Sequence, residues 1–157
     1  MSDAFSDLEQ QLQQADAALK AAMQLIDRAL SALKSRTVEG GRVSPAKLDE
    51  HQLASYELSV SWSECTAARF LSAHAAQLAA GSVAVNTQTI KLSNLFCAEA
   101  ITNTVNRLRA RPADYGLASA DIAINPATEA FLSEQLAAKN IVGIGQAILD
   151  RDGDLGP

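Results

Sequence analysis

Aromatic side chains are scarce in this chain. Only 4% of its 157 residues are Phe, Trp or Tyr, although 48% are hydrophobic. The core must therefore be built from Ala, Leu, Ile and Val, and small side chains of this kind suit helices packed at close range. Strands are enriched in aromatic and β-branched residues, so the composition argues against a β-sandwich. A chain of this length forms one domain, which buries roughly 70% of its unfolded surface.

An excess of cationic residues is also absent. The chain has 13 Lys and Arg against 18 Asp and Glu, which gives a net charge of −5. A nucleic acid partner requires a basic face, so we expect none. The one basic cluster is Arg107, Arg109 and Arg111. We interpret it as a solvated helix end whose cations offset the last carbonyl groups.

Cysteines are few and long apolar runs are missing. Cys65 and Cys97 lie in helical stretches without CxxC spacing, so they are interpreted as small apolar residues of a reducing compartment. No run approaches the ~20 apolar residues that a membrane span needs. The N-terminus has no basic-plus-apolar signal. We therefore expect a cytoplasmic protein without a membrane span.

Residues that bind metals are too dispersed to predict a metal site. His51 and His74 are far apart in sequence, and a histidine on a helix face is more often a core or boundary residue than a ligand. The tail from Asp150 to Asp154 has the alternating acids of a calcium loop. It lacks the glycine at the sixth loop position, where Leu155 stands. We predict a solvated chain end there.

The first segment, about residues 3–35, has the pattern of a long helix. Two series of apolar residues repeat every seven positions and form a helical seam. The members of the first are Phe5, Leu12, Leu19, Ile26 and Leu33, and those of the second are Leu8, Ala15, Ala22 and Ala29. Met23, Leu25 and Leu30 widen the stripe, which favours a bundle helix over the alternative, a free coiled-coil dimer.

The second helix is predicted for residues 44–80. The double glycine within the segment 37–43 breaks the first helix, and Ser44 followed by Pro45 is typical of a helix start. Gly81 is a plausible stop. One heptad register contains Leu53, Val60, Ala67 and His74, while Tyr56 and Phe70 lie along its neighbour, so we expect this apolar face to pack in the bundle.

Two further helices complete the predicted fold. A polar link, 82–86, leads to a third helix over about 87–111. Its inner stripe is Ile90, Asn94, Cys97, Ile101, Thr104 or Val105, and Leu108. Asn94 and Thr104 are polar on that stripe, so they should be hydrogen-bonded or near a site. Asn125 and Pro126 start a fourth helix over about 126–150, with a break expected near Lys139. The sequence shows no strand signal and predicts one all-α domain, residues 1–157, an antiparallel up-down-up-down four-helix bundle.

Four short motifs occur along these helices in a fixed order. They are Arg36-Thr37-Val38-Glu39-Gly40, Asp49-Glu50-His51-Gln52, Glu64-Cys65-Thr66-Ala67-Ala68-Arg69 and Phe96-Cys97-Ala98-Glu99. A turn, Ala113-Asp114-Tyr115-Gly116, follows the third helix. This order and spacing resemble the C-terminal helical domain of the acyl-CoA dehydrogenases, flavoenzymes that form an α,β double bond in acyl thioesters. The resemblance covers nearly the whole chain.

The resemblance implies a role for several residues. The family removes an α-proton with a glutamate while hydride passes to FAD. Counting back from the end of the last helix places that base at Glu134, with Glu129 as a second candidate. Arg36 stands where the family's arginine meets the flavin diphosphate of a neighbouring subunit, and Tyr115 and Gly116 match the end of the family's glycine-rich turn.

The same resemblance implies partners, because complete family members also have an N-terminal helical domain and a middle β-domain. We therefore expect a domain or small subunit that is not self-sufficient for catalysis. It would wall the FAD and acyl-CoA thioester pocket, as a homo-oligomer or with a chain bearing the other domains. Glu39 replaces a phenylalanine of the family, and Ala113 and Asp114 replace two glycines. These replacements favour the alternative, a catalytically degenerate bundle that serves as an oligomerisation or partner-binding module.

Overall fold

The computed structural model describes residues 2–80 and 87–151, with side chains in these ranges except those of 2–6 and 8. Its α-helices are α1 (Ser2–Thr37), α2 (Pro45–Glu50), α3 (Gln52–Ala80), α4 (Thr87–Ala110), α5 (Pro126–Gln135) and α6 (Ala138–Leu149). A first 3-10 turn (Pro112–Tyr115) and a second (Ser119–Ile122) connect α4 to α5. The described residues confirm the predicted all-α class. Predictions for Gly81, the link 82–86, the tail beyond Arg151 and the side chains of Phe5 and Leu8 lie outside them.

The heptad pattern of α1 correctly predicts its packing face. Seven of the predicted seam residues are buried: Leu12, Ala15, Leu19, Ala22, Ile26, Ala29 and Leu33. The widening of the stripe is confirmed by Leu25, which is also buried, and by Met23, which packs against the core. Leu30 is an exception, because it is 37% exposed. The breadth of this stripe lets α1 contact both α3 and α4.

A short β-hairpin follows α1, although no strand was predicted. Its strands are β1 (Val38–Glu39) and β2 (Arg42–Val43), which pair antiparallel. Gly40 and Gly41 form the connection with φ values of 56° and 80°. Positive φ at both central residues is the requirement of the type I′ hairpin loop, so the double glycine does more than end the helix. The prediction missed the strands because two residues are too few for an alternating pattern.

The predicted second helix is divided in two. It begins at Pro45 as expected, with Ser44 in the extended N-cap conformation, although the Ser44 side chain makes no capping hydrogen bond. His51 then leaves helical geometry, with φ of −115° and ψ of 22°, and separates α2 from α3. The ion pair between Lys47 and Glu39, at 2.6 Å, holds α2 against the hairpin.

The apolar face expected to pack in α3 is the wrong one. Leu53, Tyr56 and Phe70 are 55%, 66% and 68% exposed, and His74 is exposed too. The buried face consists of small side chains and one leucine: Ala54, Leu58, Ser61, Cys65, Ala68, Ser72, Ala75 and Ala79. The helix packs against both α1 and α4, whose buried stripes are rich in Leu and Ile. Small residues on α3 make room for those larger side chains, so residue size misled the prediction.

The inner stripe of α4 agrees with its prediction. Its residues Ile90, Asn94, Cys97, Ile101, Thr104, Val105 and Leu108 are all buried. The two polar members are hydrogen-bonded, as expected. Thr104 Oγ1 lies 3.5 Å from the Cys65 sulfur, and Asn94 Nδ2 donates to Gln11 Oε1 at 3.5 Å. Thr104 thus contacts α3, and Asn94 contacts α1.

Paired arginines fix α4 to α3, which corrects the interpretation of the basic cluster. Arg107 makes a two-pronged contact with Glu64, at 2.6 and 3.1 Å, and Arg111 pairs with Glu57. Because the earlier acid meets the later arginine, the two helices run antiparallel. Arg109 donates to the backbone carbonyl of Ile122 at 3.3 Å. These cations therefore bind particular groups instead of lying free at a helix end.

The predicted fourth helix is likewise two helices. Asn125 caps α5, since its side chain accepts a hydrogen bond of 2.8 Å from Thr128 N. The helix ends at Gln135, a few residues before the expected break, and Asn140 Nδ2 donates to the Gln135 carbonyl at 2.8 Å. α6 runs without interruption through Gly143. α5 packs on α1 and α4, and α6 packs on α4.

Candidate membrane-spanning helices are absent from the ranges 2–80 and 87–151. None of these helices combines the length and the apolar content that a bilayer crossing requires.

Candidate functional site

Arg36, at the end of α1, meets the turn that contains Tyr115 and Gly116. Its Nη1 donates to the carbonyl oxygens of Ala113 at 3.1 Å and Asp114 at 3.0 Å. Arg36 is about 80 positions from the adjacent pair Tyr115 and Gly116 in sequence, yet these three residues, which the resemblance assigns to cofactor binding, form one corner of the molecule. Arg36 is exposed, and a guanidinium has five N–H donors. Donors remain at this corner for an anionic group.

Gly116 lets the turn approach α1 closely. Its φ of 65° lies in the left-handed region, which glycine adopts without steric cost. A Cβ atom at this position would lie 2.6 Å from Ala32 Cβ and 3.2 Å from Arg36 Nη2. Any other residue would therefore push the turn away from α1 and from the guanidinium. We define Arg36, Tyr115 and Gly116 as the arginine corner.

Tyr115 anchors the 112–116 turn to α3. Its ring is 1% exposed, and its hydroxyl donates to the carboxylate of Glu57, which also accepts from Arg111. The hydrogen bond from Arg111 is the main cause that holds the pKa of Glu57 below its ordinary value. Burial, helped by the neighbouring carboxylate, raises the pKa of Tyr115 to about 12. The tyrosine is therefore a neutral hydrogen-bond donor at neutral pH.

Sequence reasoning missed Glu57, which supports the arginine corner through Tyr115. Glu57 and Glu64 are seven residues apart on α3, while Arg107 and Arg111 are four apart on α4. Seven residues are about two helical turns and four are about one, so the two acids share one face of α3 and the two arginines share one face of α4. This spacing of opposite charges is the signal in the sequence that points to Glu57.

The two acidic replacements near the arginine corner are both paired with cations. Glu39 binds Lys47 at 2.6 Å, and Asp114 lies 3.5 Å from Arg111 Nε. Partial neutralisation by these neighbours lessens the repulsion that either carboxylate would exert on an anion. Both pairs are largely exposed, so the residual repulsion is also screened by salt.

Glu134, the predicted base, lies at a different place on the molecule. It is exposed, and its Oε1 accepts a hydrogen bond of 3.3 Å from Gln11 Nε2. Gln11 in turn accepts from Asn94, which links Glu134 to the core through two amides. The oxygen Asn94 Oδ1 has no hydrogen-bond partner within the described ranges. A groove of about 400 Å³ beside Glu134 is lined by Lys91 and Lys139 as well.

The arginine corner and Glu134 lie at opposite ends of α1. Glu134 contacts Gln11, whereas the corner includes Arg36, and 25 helical residues separate the two by roughly 38 Å at 1.5 Å per residue. Glu129, the second candidate base, is exposed in the first turn of α5. The structure therefore assembles the predicted cofactor residues with one another, but not with either predicted base.

The two cysteines lie in the core of the bundle. Cys65 and Cys97 are free and fully buried, and burial raises the pKa of both thiols, that of Cys97 to about 12. A buried thiol of this kind is unreactive. No group of three or more His, Cys, Asp or Glu residues within 2–80 and 87–151 could hold a metal ion.

Comparison of the chain with protein-family models, with curated proteins and with solved structures found no match in any of the three.

Proposed function

We propose that this chain is the C-terminal helical domain, or a small helical subunit, of a flavin-dependent assembly resembling the acyl-CoA dehydrogenases. The observation that carries the proposal is the arginine corner. Arg36, Tyr115 and Gly116 are singled out by resemblance from distant parts of the sequence, and they meet in the folded chain. In this role the guanidinium contacts the flavin diphosphate of a neighbouring chain.

The separation of Arg36 from Glu134 is compatible with this proposal. In the resembled family the arginine contacts a neighbouring subunit's flavin, so the two residues belong to different flavin sites and need not meet. Glu134 then faces the acyl thioester of its own site as the base. An exposed carboxylate needs a dry surrounding for that work, because desolvation raises its pKa. In the proposed assembly this cover comes from the N-terminal and middle domains that the resemblance implies.

The proposed architecture is an antiparallel four-helix bundle in which α5 and α6 together form the fourth arm. Two observations support it. α3 and α4 run antiparallel through their arginine pairs, and α5 and α6 both pack against α4. A break within one arm does not change the number of arms.

Flavin content of the natural assembly tests the proposal. The tagged chain is expressed at its natural level in its source organism, purified under native conditions, and scanned for the yellow flavin band. We expect bound FAD and a partner chain. Arg36→Ala should lower the FAD content at unchanged chain yield, because the diphosphate loses its cation.

Arg28→Ala is a matched control for that variant. Arg28 also lies on α1 and also donates to a carbonyl of a 3-10 turn, that of Asp121 at 2.8 Å. Its loss removes a contact of the same kind, together with an ion pair of 3.8 Å to Asp121, without touching the arginine corner, and FAD content should not change. Colourless material, or full FAD content in Arg36→Ala, would contradict the proposal.

A second candidate function is an oligomerisation or partner-binding module without flavin. The observation that favours it is the exposed apolar face of α3, which carries Leu53, Tyr56 and Phe70. Large apolar side chains in a contiguous exposed row are typical of protein–protein contacts.

A further inference from the structure

The groove of about 400 Å³ beside Glu134 lies where α4, α5 and α6 meet. Three charged residues from the three helices line it: Lys91 on α4, Glu134 on α5 and Lys139 on α6. The side chains of Ala137 and Ile144 supply an apolar part of its wall. We call this feature the α6 groove. It combines opposite charges with apolar surface, as sites for small polar molecules do.

The charged groups of the α6 groove are not paired with one another. The ion pairs within residues 2–80 and 87–151 include neither Lys91 nor Lys139, and they do not include Glu134. A carboxylate and two ammonium groups thus line one groove but stand too far apart to bind each other directly. A small molecule with charges of both signs would bridge them.

A buried amide behind the groove lacks a hydrogen-bond donor. Asn94 is 0% exposed, and its Oδ1 accepts no hydrogen bond from the described residues. Its Nδ2 donates to Gln11, and Gln11 donates to Glu134, which lines the groove. Asn94 also lies one turn after Lys91 on α4, and helical side chains lean toward the preceding turn. Buried acceptors are seldom left unpaired, so this oxygen indicates a donor on a bound molecule.

The first turn of α6 adds backbone donors to the same groove. The helix has 12 residues, and its N-cap, Ala137, has no side chain that accepts from the turn. Unpaired N–H groups at a helix start, together with the helix dipole, favour an anion. Lys139 is in this turn, and no acidic residue is. The start of α6 therefore suits a carboxylate, whereas Glu134 suits a cation.

We propose that the α6 groove binds a free α-amino acid with an aliphatic side chain. The carboxylate binds Lys91, Lys139 and the first N–H groups of α6. The ammonium group, which has three donors, binds Glu134 and completes the amide network that ends at Asn94. The aliphatic side chain lies against the apolar wall of the groove.

This inference goes beyond both proposed functions and does not rest on either. The α6 groove and the arginine corner belong to opposite ends of α1. Loss of FAD in Arg36→Ala and loss of amino acid binding are therefore separate results. The binding role of Glu134 needs this chain only, whereas its role as a base needs the covering domains.

Titration of the ¹⁵N-labelled chain with L-leucine, followed by NMR, measures binding directly. The amide signals of Lys139 and Gly143, which line the groove, should shift with a Kd of about 1 mM, as suits a ligand of this size. The Gly116 signal, from the arginine corner, should not move. An absence of shifts at the groove up to about 10 mM leucine overturns the inference and leaves water as the donor to Asn94.

Two leucine analogues test the need for both charges. 4-Methylpentanoate lacks the ammonium group, and isoamylamine lacks the carboxylate. Each should bind at least about 5-fold more weakly than leucine, because each loses charge-assisted hydrogen bonds. Equal affinity for leucine and 4-methylpentanoate would indicate a simple anion site, and equal affinity for isoamylamine a simple cation site. Either result overturns the proposed ligand class.

Gly143 and Gly145 provide a matched pair of variants that locate the ligand. Both lie within α6, neither has a positive φ, and no atom lies within 4 Å of the position that a Cβ would occupy at either. Only Gly143 lines the groove. Gly143→Leu should fill the groove without changing a charge and weaken leucine binding at least about 10-fold. Gly145→Leu should bind as the wild type does. Unchanged binding in Gly143→Leu would overturn the location.

Charge-removing variants test the individual roles, with circular dichroism to verify helix content. Lys91→Gln and Lys139→Gln should each weaken leucine binding about 5-fold, and Lys34→Gln, at an exposed lysine of α1, should not. Glu134→Gln should weaken leucine binding about 5-fold but should not weaken 4-methylpentanoate. Loss of both ligands alike in Glu134→Gln would indicate a structural role and overturn its assignment as the ammonium partner.

Discussion

Replacing Gly116 by alanine is the sharpest test of how the 112–116 turn packs on α1. The new methyl group would stand 2.6 Å from Ala32 Cβ, a distance that real Cβ atoms do not reach, so the turn or α1 must move. Alanine also disfavours the left-handed conformation at φ of 65° by about 1 kcal/mol. Overpacking adds about 1–3 kcal/mol. We therefore expect Gly116→Ala to destabilise the fold by about 2–4 kcal/mol.

Gly41→Ala separates the two contributions. Gly41 has a φ of 80°, but no atom lies within 4 Å of the position that its Cβ would occupy. This variant should cost only the conformational term, about 1 kcal/mol. Urea denaturation followed by circular dichroism gives both free energies of unfolding. Equal losses at the two glycines, within about 0.5 kcal/mol, would show that the turn does not approach α1 as described.

Shortening Ala32 should relieve the contact. Ala32→Gly alone weakens α1 by about 1 kcal/mol, the usual cost of glycine within a helix. Combined with Gly116→Ala it should cost less than the sum of the single changes, with a coupling of about 1–2 kcal/mol. Additive losses would contradict direct contact between these two positions.

Three further predictions follow from burial and charge. The pKa of Glu57 is lowered in the folded state, so its stabilising effect is complete above its unfolded pKa and is lost as pH falls through the folded pKa. The difference in unfolding free energy between wild type and Glu57→Gln should therefore shrink on acidification below pH 4.5, in urea titrations at each pH; a constant difference would contradict the lowered pKa. Cys65 and Cys97 should not react with a thiol reagent at pH 8 until urea unfolds the chain, and rapid labelling of the native protein would refute their burial. Leu58→Ala should lower the free energy of unfolding by about 2–5 kcal/mol, and Leu53→Ala by less than about 1 kcal/mol in the dilute monomer. A larger loss for Leu53→Ala would contradict the burial of the Leu58 face of α3.

The sequence was informative wherever residue size and periodicity agreed. In α1 and α4 a stripe of apolar residues with helical spacing is buried, as Leu19 and Ile101 illustrate. The helix start at Pro45 and the cap at Asn125 were also predictable, because each has a local chemical cause. Such features depend on near neighbours only.

The face of α3 was not predictable in this way, since two apolar stripes compete on the same helix. One contains Tyr56 and Phe70, and the other is rich in alanine around Leu58. Periodicity identifies both stripes, and the stripe with Tyr56 and Phe70 has the larger apolar side chains. The choice depends on the shape of the helices that pack against α3, which no single helix sequence contains.

The candidate site was also predictable only in part. Resemblance suggested Arg36, Tyr115 and Gly116, but only the fold shows that they meet and that Glu57 supports them. The chemical role of Glu134 stays a prediction. Its surroundings in the proposed assembly depend on the domains that would cover it.

Sedimentation equilibrium of the unmodified chain tests most directly the claim that the exposed apolar face of α3 is a surface through which copies of the chain associate. The average mass should rise from 16.6 kDa in dilute solution toward twice that value as the concentration increases. It should stay at 16.6 kDa for a Tyr56→Glu, Phe70→Glu double variant under the same conditions. A wild-type mass that remains at the monomer value over the whole range would contradict the claim.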